Sequence, residues 1–243
     1  MIRISVVSYL NSMPFIYGLR KSYLINHMML ELDYPSICAS KIINSEVDVG
    51  LVPVVTINQM NSLEIISDYC ISSEGKVDTV CLFSNLPIED INTIHLDYQS
   101  RTSIELLKIL LKEYWKINPC LLNSKIGFEE KINNNEAVLV IGDRAFNLRN
   151  KYRFNYDLSD IWYKLTGLPF VFAVWVANKK LDRDFIANFN LALSYGINSI
   201  TDSDFNFQYN NMEKEYLSSR ILYKLDKKKK EAMNLFFSKI SYS

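Results

Sequence analysis

Phe170-Val171-Phe172-Ala173-Val174-Trp175-Val176-Ala177 is an unbroken apolar run, rich in β-branched and aromatic residues and bounded by Pro169 and Asn178. Its length and composition predict a buried strand. A second β-prone run, long enough to cross between lobes, is Val77-Asp78-Thr79-Val80-Cys81-Leu82-Phe83. Between the two lies a segment with its own elements. Residues 93–96 read as a strand, 102–115 as a helix with Ile104, Leu107, Leu111 and Tyr114 on one stripe, and 137–141 as a buried parallel strand. Two long strands that bracket such a segment predict a chain that leaves one lobe, builds another, and returns. The outer lobe is expected over 1–84 plus 177–243 and the inner lobe over 85–176. The crossover strands fall near 77–84 and 170–177, with a ligand cleft between the lobes.

Outward from these runs the pattern stays α/β. Strands at 2–7, 29–32 and 47–52 alternate with helices that Pro14 and Pro35 can open, because a proline at the first helical position sacrifices no hydrogen bond. Shorter β-prone runs follow at 63–66 and 69–71. Beyond Asn178 the chain reads as helix over 182–199, 212–225 and 227–240. Lys227-Lys228-Lys229-Lys230 reads as a solvated helix start.

Composition narrows the chemistry. The 243 residues carry 27 basic and 27 acidic side chains, so no global field attracts nucleic acid or an anionic membrane, and no nucleic-acid or membrane partner is expected. The closest pair among seven glycines, Gly127 and Gly142, is 15 positions apart, which excludes a Gly-rich phosphate loop. Two distant histidines, His27 and His95, and four cysteines without a C-x-x-C spacing give no zinc or dithiol pattern. No cofactor and no metal are expected. The longest apolar run, 168–177, is about half a membrane span, and the apolar start of the chain is too short for a secretion signal. These features predict a reduced, cytoplasmic protein, monomer or homodimer.

The candidate site residues follow strand ends, where α/β lobes bind ligands. Ser8-Tyr9-Leu10-Asn11 follows the first strand, and the Asn11 amide can orient a hydroxyl or a carboxylate or simply cap the next helix. Ser72, Ser73 and Gly75 form a polar turn before the first crossover. Ser100-Arg101-Thr102-Ser103 opens the best-marked helix with three hydroxyls, free N–H groups and an arginine able to grip a carboxylate; simple capping by one of them is the alternative. Gly142-Asp143-Arg144 repeats the placement, with Gly142 allowing close approach of backbone and Asp143 either an acid–base group or a cap.

Ser8-Tyr9-Leu10-Asn11 with Pro14-Phe15, Ser100-Arg101-Thr102-Ser103, Ile141-Gly142-Asp143-Arg144-Ala145 and Thr166-Gly167-Leu168-Pro169-Phe170 through Trp175 together resemble the chorismate dehydratase family of the futalosine route to menaquinone. The resemblance implies a periplasmic-binding-protein-like fold of the second type, used as a cytoplasmic carbon–oxygen hydro-lyase without a cofactor. Its implied substrate is the dianion chorismate, and its product 3-[(1-carboxyvinyl)oxy]benzoate. Asn11, Ser72 and Asp143 are then the expected catalytic residues. Ser8, Tyr9, Ser73, Ser100, Arg101, Thr102, Ser103 and Gly142 are expected to bind substrate. The same fold also serves non-catalytic capture of small anions, which is the competing reading.

Overall fold

The computed structural model describes residues 1–60, 62–130, 132–206 and 208–240. Positions 61, 131, 207 and 241–243 of the expected lobes lie outside the described residues. The chain opens with β1 (Ile2–Val7), α1 (Met13–Lys21), β2 (Met28–Asp33), α2 (Pro35–Ile43), β3 (Val49–Pro53) and β4 (Glu64–Ser73). Pro14 and Pro35 sit in the first turns of α1 and α2. A second group comprises β5 (Val80–Ser84), β6 (Thr93–Leu96), α3 (Thr102–Leu110), β7 (Cys120–Asn123), β8 (Glu136–Ile141), α4 (Arg144–Leu148), β9 (Phe154–Asp157) and α5 (Leu158–Thr166). The chain closes with β10 (Phe170–Ala177), α6 (Arg183–Asn198), α7 (Ser203–Asn206), α8 (Asn211–Glu215), β11 (Leu222–Lys224) and α9 (Lys227–Ile240).

These strands form two mixed sheets, ordered β11-β4-β10-β3-β1-β2 and β7-β6-β8-β5-β9. Both follow one plan. Three parallel strands (β2-β1-β3 and β7-β6-β8) are followed by one antiparallel strand, β10 or β5, and then by a strand antiparallel to that, β4 or β9. In each sheet the first antiparallel strand is the one the chain forms immediately after crossing from the other lobe.

That pairing moves the expected boundaries. β5 pairs only in the second sheet, so 77–84 is not outer-lobe structure, and β10 pairs along its whole length in the first sheet, so 170–176 is not inner-lobe structure. The crossings are the short links 74–79 and 167–169, before each strand rather than within it. A strand commits all its ladder hydrogen bonds to one sheet, which leaves the turning to non-ladder residues. Two further expectations change. The runs at 63–66 and 69–71 are one strand, β4, whose polar break Ser67-Asp68 sits in a bulge: Val174 pairs with Cys70 but Val176 with Ile65. Residues 212–225 are not one helix, because 222–224 peel off to form β11 on the edge of β4.

The largest contact between helices is backbone on backbone. A Cβ on Gly18 of α1 would fall 2.0 Å from the Ala192 carbonyl oxygen of α6, and one on Gly196 would fall 1.8 Å from the Pro14 oxygen. Only glycine at both positions lets α1, and the 8–12 loop before it, seat directly on α6.

The amino-terminal ends of β1 and β3, inside the first sheet, are tied by Asp48, which accepts the Arg3 main-chain N–H at 2.8 Å, the Arg3 guanidinium at 3.3 Å and the Lys179 ammonium at 2.9 Å. Burial alone would raise the Asp48 carboxyl, but these donors hold it down to about 2. A carboxyl depressed in the folded state stabilises above its unfolded value near 3.8, and that stabilisation is lost as pH falls through the folded value. Asp48→Asn is therefore expected to lower the melting temperature by about 2–4 °C near neutrality, the response to roughly 1 kcal/mol in a chain of this size. The gap should close between about pH 4 and pH 2; melting curves with a constant gap across that range would contradict the assignment.

Candidate functional site

The carboxyl ends of β1, β3, β6 and β8 face one another across the gap between the sheets, joined by the starts of β5 and β10. They line a pocket with a cavity volume of about 60 Å³. The outer lobe contributes Val7, Tyr9, Asn11, Ser12, Pro53 and Ile71. Val77, Thr79 and Val80 come from the first crossing and β5, Ser100 to Ser103 and Gly142 from the inner lobe, and Phe172 and Ala173 from β10. The walls are largely aliphatic and aromatic, with hydroxyl and amide groups at intervals, as in small-molecule sites generally.

Of the expected residues, Tyr9, Asn11, Ser100, Arg101, Thr102, Ser103 and Gly142 meet in this pocket. Gly142 has φ of +70°, and a Cβ there would come within 2.8 Å of the Tyr9 ring. The Tyr9 ring thus lies flat over the Gly142 backbone, and its hydroxyl donates to the Gln99 side-chain oxygen. Gln99 is held in turn, because its amide nitrogen donates to Tyr98 Oη at 2.7 Å. Burial, followed by the nearby Asp97 charge, pushes the Tyr9 phenol far up, so it remains a neutral donor.

Ser100 Oγ accepts the Ser103 N–H at 3.1 Å and so caps the start of α3. Arg101 reaches across to the outer lobe, donating to Ser40 Oγ at 2.9 Å and Gln59 Oε1 at 3.1 Å. Thr102 Oγ1 also spans the lobes, accepting from Val55 N–H and donating to the Phe172 carbonyl, both at 3.4 Å. Asn11 occupies a short turn after β1, where its Oδ1 accepts from Ser12 Oγ at 3.2 Å and its Nδ2 donates to Tyr216 Oη at 3.3 Å. Tyr216 Oη also bonds Thr79 Oγ1 at 2.9 Å.

Four expected residues lie elsewhere. Ser72 is fully buried with its hydroxyl given to the Leu222 carbonyl of β11, so the edge strand consumes it. Ser73, also buried, bonds Ser159 Oγ of α5 at 2.6 Å and ties the lobes from behind the pocket. Both expectations missed because β4 runs on through these residues instead of turning at them. Ser8 belongs to the β1 margin, its N–H donating to the Asp33 carbonyl at 2.9 Å. Asp143 is outside the pocket lining and exposed. Its two oxygens receive the Leu10 N–H at 3.2 and 3.1 Å, making it a clasp between lobes. Protein packed around the carboxyl raises its pKa, Leu10 opposes, and Glu213 adds to the rise.

The residues that sequence reading missed are Thr79 and Tyr216. Thr79 is one of two polar residues of the 77–83 run, with Asp78, at a position read there as strand. Tyr216 lies in a segment read as plain helix; it opens a π turn over Tyr216–Arg220, and its hydroxyl meets the lining residues Asn11 and Thr79 from behind. No group of three or more His, Cys, Asp or Glu side chains among the described residues converges as metal ligands would. No helix among them is long and apolar enough to cross a membrane.

The sequence model of the family described as menaquinone biosynthesis matches residues 2–242. A chorismate dehydratase of Thermus thermophilus is 31% identical over 141 residues, covering 51% of this chain and 51% of that protein. The chain thus spans about half the length of this curated relative. Among solved structures, a protein from Archaeoglobus fulgidus superposes with a TM-score of 0.76 at 13% identity, covering 99% of this chain and 97% of that one. A Candida albicans gene product described as having the generic periplasmic binding protein fold gives 0.67 at 11% identity over 100% and 94%. The periplasmic aliphatic sulphonate binding protein of Escherichia coli gives 0.57 at 16% over 98% and 86%. The fold is that of periplasmic binding proteins.

Gly142→Ala tests the geometry of the pocket floor. Positive φ costs an alanine roughly 1–2 kcal/mol, and the new methyl must displace the pinned Tyr9 ring. The expected outcome is a melting temperature lower by several degrees and a pocket with a displaced Tyr9 in the crystal structure. An unmoved Tyr9 would show that the contact does not set the site.

Proposed function

The chain is a member of the menaquinone biosynthesis family, and from that premise we propose that it is a chorismate dehydratase, a hydro-lyase giving 3-[(1-carboxyvinyl)oxy]benzoate and water. In this reading the C3–H bond of chorismate breaks, its electron pair becomes the C3–C4 double bond, and the C4 hydroxyl departs. The ring becomes aromatic, so the step is downhill overall. The protein must position the groups and stabilise the leaving oxygen.

What carries the reading is the character of the lining. The ionisable side chains among the lining residues are Tyr9 and Arg101, and neither accepts a proton near neutrality. A base must then come with the substrate, whose enolpyruvyl carboxylate is attached through oxygen to the carbon that loses the proton. This carboxylate takes the C3 proton, and that proton leaves with the hydroxide as water. Asn11 orients the carboxylate, and the Thr79 hydroxyl, in place of the Ser72 hydroxyl that β11 consumes, donates to the departing oxygen. Arg101 and the α3 start, where Ser103 and its neighbours border the pocket, hold the second carboxylate. A net-neutral chain can bind a dianion this way with local donors alone.

The pocket is bounded by both lobes, which favours a reaction run away from bulk water. Asp143 has a supporting part here: its clasp on Leu10 holds the loop that carries Asn11.

Incubation of the protein with chorismate, followed by ultraviolet spectroscopy, is expected to show conversion to an aromatic enol ether; no conversion rejects the proposal. Asn11→Ala should lower kcat by about 10²–10³-fold, the usual cost of one oriented donor. Asp143→Asn should leave kcat within about threefold. A collapse of activity in that variant would return the carboxylate to an acid–base role.

A further inference from the structure

Tyr216 is fully enclosed, about 2% exposed, and belongs to the far carboxy-terminal part of the chain, behind the residues that line the pocket. Its ring stands edge-on to Phe146 of the inner lobe at 5.2 Å. Its hydroxyl touches two pocket residues from different parts of the fold, Asn11 after β1 and Thr79 at the entry to β5. The π turn beginning at Tyr216 is held by Arg220, which pairs with Asp78 at 3.0 Å, one residue before Thr79.

The directions of these bonds are fixed by bookkeeping. Ser12 Oγ donates to Asn11 Oδ1, which turns Nδ2 toward Tyr216, so Tyr216 Oη accepts from Asn11. The phenol proton then has Thr79 Oγ1 as its partner, since a second accepted bond would leave a buried O–H unpaired. With its oxygen already receiving that proton, Thr79 points its own O–H elsewhere, and the open side is the pocket it lines. The sequence is Asn11 N–H to Tyr216 O–H to Thr79 O–H to cleft, and each donor polarises the next.

We infer that Tyr216 is a positioning residue of this pocket, setting the orientation of the Asn11 amide and making the Thr79 hydroxyl a hydrogen-bond donor toward the substrate's departing oxygen. The inference deepens the dehydratase reading and rests on it for its kinetic consequence. Its geometric content, a phenol proton held by Thr79, stands independently.

The test uses the full-length protein. Tyr216→Phe keeps the ring on Phe146 and removes the oxygen. With chorismate as substrate, kcat is expected to fall about 10–100-fold with KM within about threefold. The losses of Tyr216→Phe and Thr79→Val should be less than additive in the double variant, because part of the phenol's effect passes through the threonine. Thr79→Ser should retain most activity. A folded Tyr216→Phe with kcat within twofold of wild type, or losses that add in the double variant, would overturn the inference. Nuclear magnetic resonance of the wild type labelled with [ζ-13C]tyrosine provides the second readout. One tyrosine hydroxyl proton should exchange slowly with solvent and lie near the Thr79 methyl. Its absence overturns the inference even if Tyr216→Phe does not fold or wild type does not convert chorismate. Wild-type inactivity with that proton in place would reject the dehydratase reading alone.

Discussion

β4 and β10 hydrogen-bond to each other along the first sheet, with Ser73 paired to Phe170 at the end where the chain leaves and returns. This pairing is the constraint on which the molecule depends. It brings the two crossings side by side, so the inner lobe hangs from one narrow place instead of two separate ones. Because each lobe's antiparallel strand starts at that place, the parallel strands β1, β3, β6 and β8 all present their carboxyl ends to the same gap. The pocket is a result of strand direction before it is a matter of any side chain.

Within the gap, direct hydrogen bonds, none of them between opposite charges, run from Tyr9 to Gln99, Leu10 to Asp143, Arg101 to Ser40 and Gln59, and Ser73 to Ser159, and each joins the two halves. Stronger ion pairs lie outside the lining, as with Asp97 and Arg144, where a buried carboxylate is also satisfied by the Ile141 and Gln99 N–H groups. Asp97 and Arg144 shape the inner lobe behind Gly142; they leave the lining itself to hydroxyls, amides and one arginine.

Much of this was legible in the sequence. Phe170–Ala177 reads as a buried strand because nothing in it is polar, and it is one. The helix from Thr102 follows from its stripe and cap, and Asn11, Arg101 and Gly142 follow from their place after strand ends. What escaped reading depended on partners far away in the chain. β9 and β7 are four-residue strands whose apolar content is too small to stand out, and they exist because β5 and β6 offer an edge. α5 had a local signal, Asp157 ahead of Ser159 and Asp160 with Gly167 at the end, and Asp157 indeed accepts both N–H groups. The placement of Ser72 failed because β11 was read as helix, and without β11 nothing in the sequence says where that hydroxyl is spent. Tyr216 escaped for a similar reason: the π turn that aims it has no simple pattern of residues.

The ties that span the gap have a kinetic side. In this arrangement they are satisfied before any ligand arrives, so entry must first break several of them, and the substrate's contacts repay only the difference. Affinity measured for any occupant is then net of this self-association of the lobes. The same ties can re-form once an occupant has left. Opening is then a step of its own, and the donors across the gap contribute to its barrier.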